Sequence, residues 1–219
     1  MNRHNPNRSI FRHTGGFTFI EWMVASSLFA VLFAMTASFF ESVRENARAA
    51  QCRENMRLIA FAVLDYESEH RVLPGPIFRR VSAPVGEPDA TELNWFINEF
   101  FELNSQVWSC PSNETAMNFA ESPVFILNNQ LATMPPRFFG YPSGVGNDPM
   151  SIGEIVAARR TPPGSFATNL RQIWMISDVD SNNYSMPGEE PQPPPHSGGR
   201  HYVFFDGSLE HRTLDDLPF

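Results

Sequence analysis

From Phe17 to Phe40 the chain reads FTFIEWMVASSLFAVLFAMTASFF, 24 residues in which Glu21 is the one charged side chain. As a helix rising 1.5 Å per residue it would reach about 36 Å, enough to cross a hydrocarbon core of about 30 Å. Beyond Phe40 the pattern turns amphipathic. Cys52, Met56, Ile59, Val63 and Tyr66 fall in one narrow stripe at 3.6-residue spacing, while Arg44, Arg48, Glu54 and Arg57 sit largely off it. No Pro or Gly interrupts residues 17–73, and the first breaker is Pro74-Gly75-Pro76. The pattern therefore predicts one helix of up to 57 residues, roughly 85 Å long. Its first half (17–40) is apolar on all sides, and its second half (41–73) is half-buried.

Residues 74–219 read differently. Loops and a short aromatic helix, Thr91 to Phe101, are expected first, with Trp95, Phe96 and Phe100 in the core. Val124 to Asn128 and Gln172 to Ser177 read as short buried strands. Tyr202 to Phe205, then Asp206-Gly207, then Ser208 to His211 carry the signature of a hairpin with a type I′ turn. The stretch 186–195, MPGEEPQPPP, is too rich in proline for a helix or sheet interior and is expected as an extended surface loop. The fold class is α+β: a small antiparallel sheet laid on the second half of the long helix.

Composition sharpens this picture in two places. With 20 Phe and 4 Trp among 219 residues, the chain holds too much apolar bulk for a solvated coil. The net charge of −8 comes from 24 acids against 16 basic residues, every one of them Arg. An acidic chain without a basic run is a poor match to nucleic acid, so no such partner is expected. The charge is also unevenly placed. Residues 1–16 hold Arg3, Arg8 and Arg12 and no acid, which leaves 13 Arg against the 24 acids in residues 17–219. Arginines ahead of the apolar span orient it with the N-terminus in the cytoplasm and the remainder outside. In an ordinary signal peptide the small-residue cleavage site follows the apolar run. Here Gly15 and Gly16 precede it, so cleavage after Gly16 would remove a basic leader and keep the helix.

The string Gly16-Phe17-Thr18-Phe19-Ile20-Glu21 ahead of an apolar helix resembles the type IV prepilin signal shared by pilins and type II secretion pseudopilins. That resemblance implies cleavage after Gly16 by a prepilin peptidase and methylation of the new N-terminal Phe17. It implies that Glu21, the acid at the fifth mature position, meets the N-terminal ammonium of a neighbouring subunit. An acid in a membrane-spanning helix costs roughly 2.5–3.5 kcal/mol at mid-helix, and a place near the membrane boundary lowers this. Phe19 stands where Leu is usual in the family, Trp22 follows the Glu, and Ser38 stands where many relatives carry a helix-loosening Pro.

A second resemblance begins at Gln51-Cys52-Arg53-Glu54-Asn55-Met56-Arg57-Leu58-Ile59, continues through Asp65-Tyr66 and Leu73-Pro74, and returns at Cys110-Pro111-Ser112. These islands are similar to the planctomycete-type prepilin-like family, whose C-terminal motif is His, nine residues, then Asp-Gly. His196, Asp206 and Gly207 match it. The resemblance implies a pilin-like fold of four parts: leader (1–16), transmembrane or filament-core half-helix (17–40), amphipathic half-helix (41–73), and a periplasmic or extracellular head (74–219). It implies a structural subunit of a type IV pilus or type II secretion-like filament, with other pilin subunits, the peptidase and the inner membrane as partners. The alternative is a minor pilin whose head binds a surface.

Candidate chemistry in the head is sparse. Cys52 and Cys110 are the two cysteines, and outside the cytoplasm such a pair invites a disulfide; two separate buried thiols are the other reading. Asp178-Val179-Asp180-Ser181-Asn182-Asn183 alternates oxygen ligands that suit Ca²⁺ at Asp178 and Asp180, but lacks the Gly and terminal Glu of an EF-hand. An Asx-rich turn after a strand is the preferred reading, with the metal site as the alternative. Calcium apart, no cofactor is expected. His196 and Asp206 form a catalytic pair only on paper, since a hairpin turn already accounts for Asp206. No nucleophile elbow, HExxH or phosphate-binding glycine loop is present, so the chain reads as a non-enzyme.

Overall fold

The computed structural model describes residues 16–82, 89–101, 106–113, 123–128, 138–142, 148–159, 169–180, 195–196 and 198–213. The leader up to residue 15 and most of the proline-rich stretch 186–195 lie outside the described residues, as do Ser181 to Asn183 and the side chain of Ser38. The chain forms two compact units, Met1–Arg44 and Glu45–Phe219.

Helix α1, Phe19–His70, runs for 52 residues without a break at position 38. Its start is fixed by a reciprocal cap. The Thr18 hydroxyl accepts from the Glu21 N–H at 3.3 Å, and the Glu21 carboxylate accepts from the Thr18 N–H at 2.7 Å. The end falls three residues short of the expected limit. Arg71 turns left-handed (φ 65°) and donates its N–H to the Glu67 carbonyl at 2.7 Å, which closes the helix just ahead of Pro74. Within the first unit, the large apolar side chains from Phe17 to Phe40 are exposed, Phe19, Phe29 and Phe33 by 70% or more. Among the described residues this is the one helix long and apolar enough to cross a membrane.

The second unit is the head. Its sheet contains β1 (Arg80–Ser82), β2 (Pro123–Leu127), β3 (Trp174–Asp178), β4 (Gly199–Phe204) and β5 (Leu209–Thr213), in that order and antiparallel throughout. Two short helices accompany it, α2 (Leu93–Phe96) and α3 (Ile152–Arg159). A second reciprocal cap, Ser151 with Glu154, starts α3. The helical stripe read from the sequence is what the head buries. Cys52, Met56, Ile59 and Val63 are at most 1% exposed, in one core with Phe125, Leu127, Met175, Val203 and Phe205.

Three expectations change. The aromatic helix shrinks to Leu93–Phe96, and Trp95 points outward at 48% exposure, because Leu93 and Ile97 take the buried face. Sequence reading also passed over β1 and α3, a three-residue edge strand and a capped helix too short for a clear apolar period. Finally, the β4–β5 turn is not type I′, which needs positive φ at both central residues. Gly207 has φ 79°, and Asp206 is not among the residues of positive φ. The Gly207 N–H donates to the Phe204 carbonyl, and the Phe204 N–H to the Ser208 carbonyl, both at 2.9 Å. This is a three-residue loop with its glycine in the left-handed position.

Two cross-links hold the head. Cys52 and Cys110 form a disulfide across 58 residues of sequence. One turn further along α1, the buried Asn55 amide donates to the Gln106 and Ser109 carbonyls at 2.9 and 2.7 Å. The segment 106–110 is thus clasped twice to the helix, by a covalent bond and by an amide that satisfies two carbonyls. At the other cross-link, Arg200 of β4 grips Asp180 through both Nε and Nη2, and its Nη1 reaches the Tyr202 hydroxyl at 3.3 Å. Arg200 is 3% exposed and Asp180 fully buried. Burial disfavours the Arg200 charge, yet the bonds to Asp180 and Tyr202 outweigh it and raise its pKa above the ordinary value.

Loss of the disulfide in Cys52→Ser/Cys110→Ser is expected to lower head stability by about 4 kcal/mol, the chain-entropy value for a loop of this size. Denaturant titration of the detergent-solubilised chain by near-UV circular dichroism checks this; an unchanged midpoint would contradict it. Arg200→Met is expected to cost about 3–5 kcal/mol, because the Asp180 carboxylate loses its bidentate partner inside the protein. The double variant Arg200→Met/Asp180→Leu should recover most of that loss in the same titration.

Candidate functional site

Two places carry chemistry, one in each unit. At the start of α1, Gly16 has nothing within 4 Å of the position of a side chain, and Phe17 is 88% exposed. The bond between them therefore sits in an uncluttered stretch, directly ahead of the cap. Thr18 is the N-cap and Glu21 the third helical residue. Glu21 also accepts from the Thr18 hydroxyl at 2.9 Å, so both bonds from Thr18 fall on its Oε2. The sequence carried this signal: Thr-x-x-Glu before an apolar run is a capping box. The family motif drew the eye to Glu21 and away from Thr18.

In the head, polar side chains gather at the junction of β3, β4 and the segment leading into β4. Asp178 closes β3 and is fully buried. Its Oδ2 accepts from the His201 backbone N–H at 2.7 Å and faces His201 Nδ1 at 3.0 Å and His196 Nε2 at 3.5 Å. Both histidines are 3% exposed. The backbone fixes each of them. His201 lies within β4, and His196 forms an isolated bridge to Gly199, whose N–H it accepts at 3.0 Å. Gly199 is required there, because any Cβ would collide with the Arg212 carbonyl and the His211 ring of β5. His211 extends the row outward: ring centroids are 4.2 Å apart from His196 to His201 and 5.1 Å from His201 to His211.

Electrostatics follow from this packing. Burial pushes the Asp178 carboxyl up, but hydrogen bonds and charge from His196 and His201 outweigh it and hold the group below its ordinary value. Burial lowers the His211 imidazole, as do His201 and His196, against the opposing pull of Asp178. Tyr202 is raised, mainly by burial.

The sequence-derived candidates separate. His196 joins Asp178, whereas Asp206 turns to its own hairpin, accepting from the Ser208 N–H at 2.9 Å and the Ser208 hydroxyl at 2.6 Å. The family's His and Asp-Gly therefore serve different tasks, and the paper pair His196–Asp206 is replaced by His196–Asp178. Among the described residues, Asp178 and Asp180 meet different partners, and Ser181 to Asn183 of the expected calcium loop lie outside them. Arg200 holds the Asp180 carboxylate, and the donors facing Asp178 are imidazoles. Cys110 Sγ stands 3.9 Å from His196 Nε2, so the disulfide borders the cluster. Sequence reasoning missed His201 and Arg200. Strand alternation alone would have found the former, since His201 shares a strand face with the core residue Val203.

A model described as the prokaryotic N-terminal methylation motif matches residues 11–37, and one described as a protein of unknown function (DUF1559) matches residues 41–109. No curated protein matches the chain, and no solved structure does. The methylation motif covers the capped start of α1, and the second match covers the buried stripe and the clasp up to Ser109; over these two segments the chain is similar to type IV prepilins and pseudopilins.

Proposed function

We propose that the chain is a structural subunit of a type IV pilus or type II secretion-like filament. The observation that carries this reading is the methylation-motif match over residues 11–37, placed on a capped helix whose apolar side chains are exposed. Exposed bulk of this kind needs a lipid or protein partner, because leaving so much apolar surface in water is costly. The helix anchors the precursor in the membrane. Its arginine-rich leader stays cytoplasmic and the head lies outside, the orientation the positive-inside rule favours. A prepilin peptidase cuts after Gly16 and the new Phe17 amine is methylated. Neighbouring helices then bury one another's apolar faces in the filament, and Glu21 pairs with the N-terminal ammonium of an adjacent subunit. The head serves as the outer body of the subunit rather than as an enzyme.

Mass spectrometry of the subunit from a peptidase-competent cell is expected to give a chain that begins at Phe17 and carries one added methyl group. A protein that retains Met1–Gly16 in such a cell would overturn the reading. The role of Glu21 is tested with a matched pair. Glu21→Gln keeps a competent cap but removes the charge, whereas Glu21→Ala removes both. Both variants are expected to insert in the membrane and to reduce filament yield at least about tenfold, the factor that corresponds to about 1.4 kcal/mol of pairing per added subunit. Normal assembly of Glu21→Gln, measured by sheared-filament yield, would assign Glu21 to capping alone.

A further inference from the structure

We propose that Asp178, His196 and His201 form a zinc site in the head, with the Cys52–Cys110 disulfide as one of its walls rather than as a source of ligands. The three residues come from three chain segments, yet one donor atom from each lies within 4.8 Å of the other two. The distances from Asp178 Oδ2 are 3.0 Å to His201 Nδ1 and 3.5 Å to His196 Nε2. Ligands 2.0–2.2 Å from a tetrahedral zinc stand about 3.3 Å from one another, so the two measured edges bracket the required one. All three side chains are nine-tenths or more buried. Each is also held by backbone that a bound ion need not rearrange: Asp178 by the β2–β3 ladder, His201 by β4–β5, and His196 by its bridge to Gly199.

Donor chemistry selects the ion. Two imidazole nitrogens and one carboxylate oxygen suit zinc and its borderline neighbours, whereas calcium calls for six to eight oxygens. A ligand set of two His and one acid leaves a fourth position in the tetrahedron. Cys110 Sγ is nearby at 3.9 Å from His196 Nε2, but it is spent in the disulfide and offers no thiolate. Water fills that position. His196 faces the cluster through Nε2; its Nδ1 points away from Asp178 and, among the described residues, has no hydrogen-bond partner, so the ion would be held through Nε2 alone. The bound ion joins the end of β3 to the segment entering β4, and so fixes the His of the family's C-terminal motif to the sheet. This inference does not depend on filament assembly.

The test uses the full chain in detergent, with the disulfide confirmed intact by alkylation and mass analysis. Protein stripped with EDTA is equilibrated with zinc sulfate, passed through gel filtration, and its metal measured by inductively coupled plasma mass spectrometry. About one zinc per chain is expected, undisturbed by excess calcium. His196→Gln and His201→Gln should each weaken zinc binding by more than the roughly 10–100-fold typical of losing an outer-shell partner. His211→Gln, outside the ligand set, should leave binding within a few-fold of the unaltered chain. No retained zinc, zinc retained equally by both ligand variants, or displacement by calcium would each overturn the proposal. Should the ligand variants fail to fold, zinc-edge X-ray absorption of the unaltered chain decides the matter. A shell of nitrogen and oxygen at about 2.0–2.1 Å with imidazole scattering supports the site, and a sulfur shell at about 2.3 Å overturns it.

Discussion

A backbone that enters hydrocarbon must satisfy every N–H and C=O from within, and for a single segment only a helix does so. Residues 19–40, helical and apolar, meet that constraint, and its consequences extend further. Because no Pro or Gly follows until Pro74, the same helix continues to His70 and supplies the stripe that the core of the head buries. The same element therefore carries two surfaces. One is apolar all round; the other is a stripe of Cys52, Met56, Ile59 and Val63 that the sheet covers. Closing the start with Thr18 and Glu21, and the end with the left-handed Arg71, confines this helix to the span where its hydrogen bonds are made.

On the stripe, two residues one turn apart explain how a head with loops of varied length keeps its form. Cys52 and Asn55 both reach the segment 106–110, one through a covalent bond and one through two hydrogen bonds to carbonyls. The matched segment, residues 41–109, takes in this helix from residue 41 onward and stops one residue short of Cys110. Read this way, the string from Gln51 to Ile59 is a description of a clasp. Where β3 ends beside β4 the corresponding task falls to polar groups. Arg200 ties down Asp180, and His201 with His196 ties down Asp178. Five buried ionisable side chains are thereby brought into contact with partners, as burial of charge demands.

Much of this was legible along the chain. The apolar run, the stripe, the disulfide pair and the strands around Phe125, Ile176 and Val203 follow from periodicity and from the compartment the N-terminus implies. Elements with weak local signals were not legible. β1 is three residues long and owes its existence to pairing with β2, a contact more than 40 residues away. The aromatic stretch around Trp95 has ample bulk, yet bulk does not say which face is inward; Leu93 and Ile97 took it. The β4–β5 turn misled because Asp-Gly suits both a two-residue and a three-residue loop, and the hydrogen bonds of Phe204 choose between them.

The sequence by itself determined the long apolar helix, the buried stripe and the α+β character of the head. All of these rest on interactions within a few residues or on regular period, which one-dimensional patterns encode. Only the tertiary structure decided the partners of the polar groups. Asp178 and Asp180 are neighbours in sequence, but one faces two imidazoles and the other a guanidinium, because β4 brings His201 and Arg200 to different positions along their edge. His196 and Asp206 share a motif, but the hairpin assigns one to the core and the other to its own turn. Such pairings depend on which strands adjoin and in what register, and antiparallel register is set by contacts far apart in the chain.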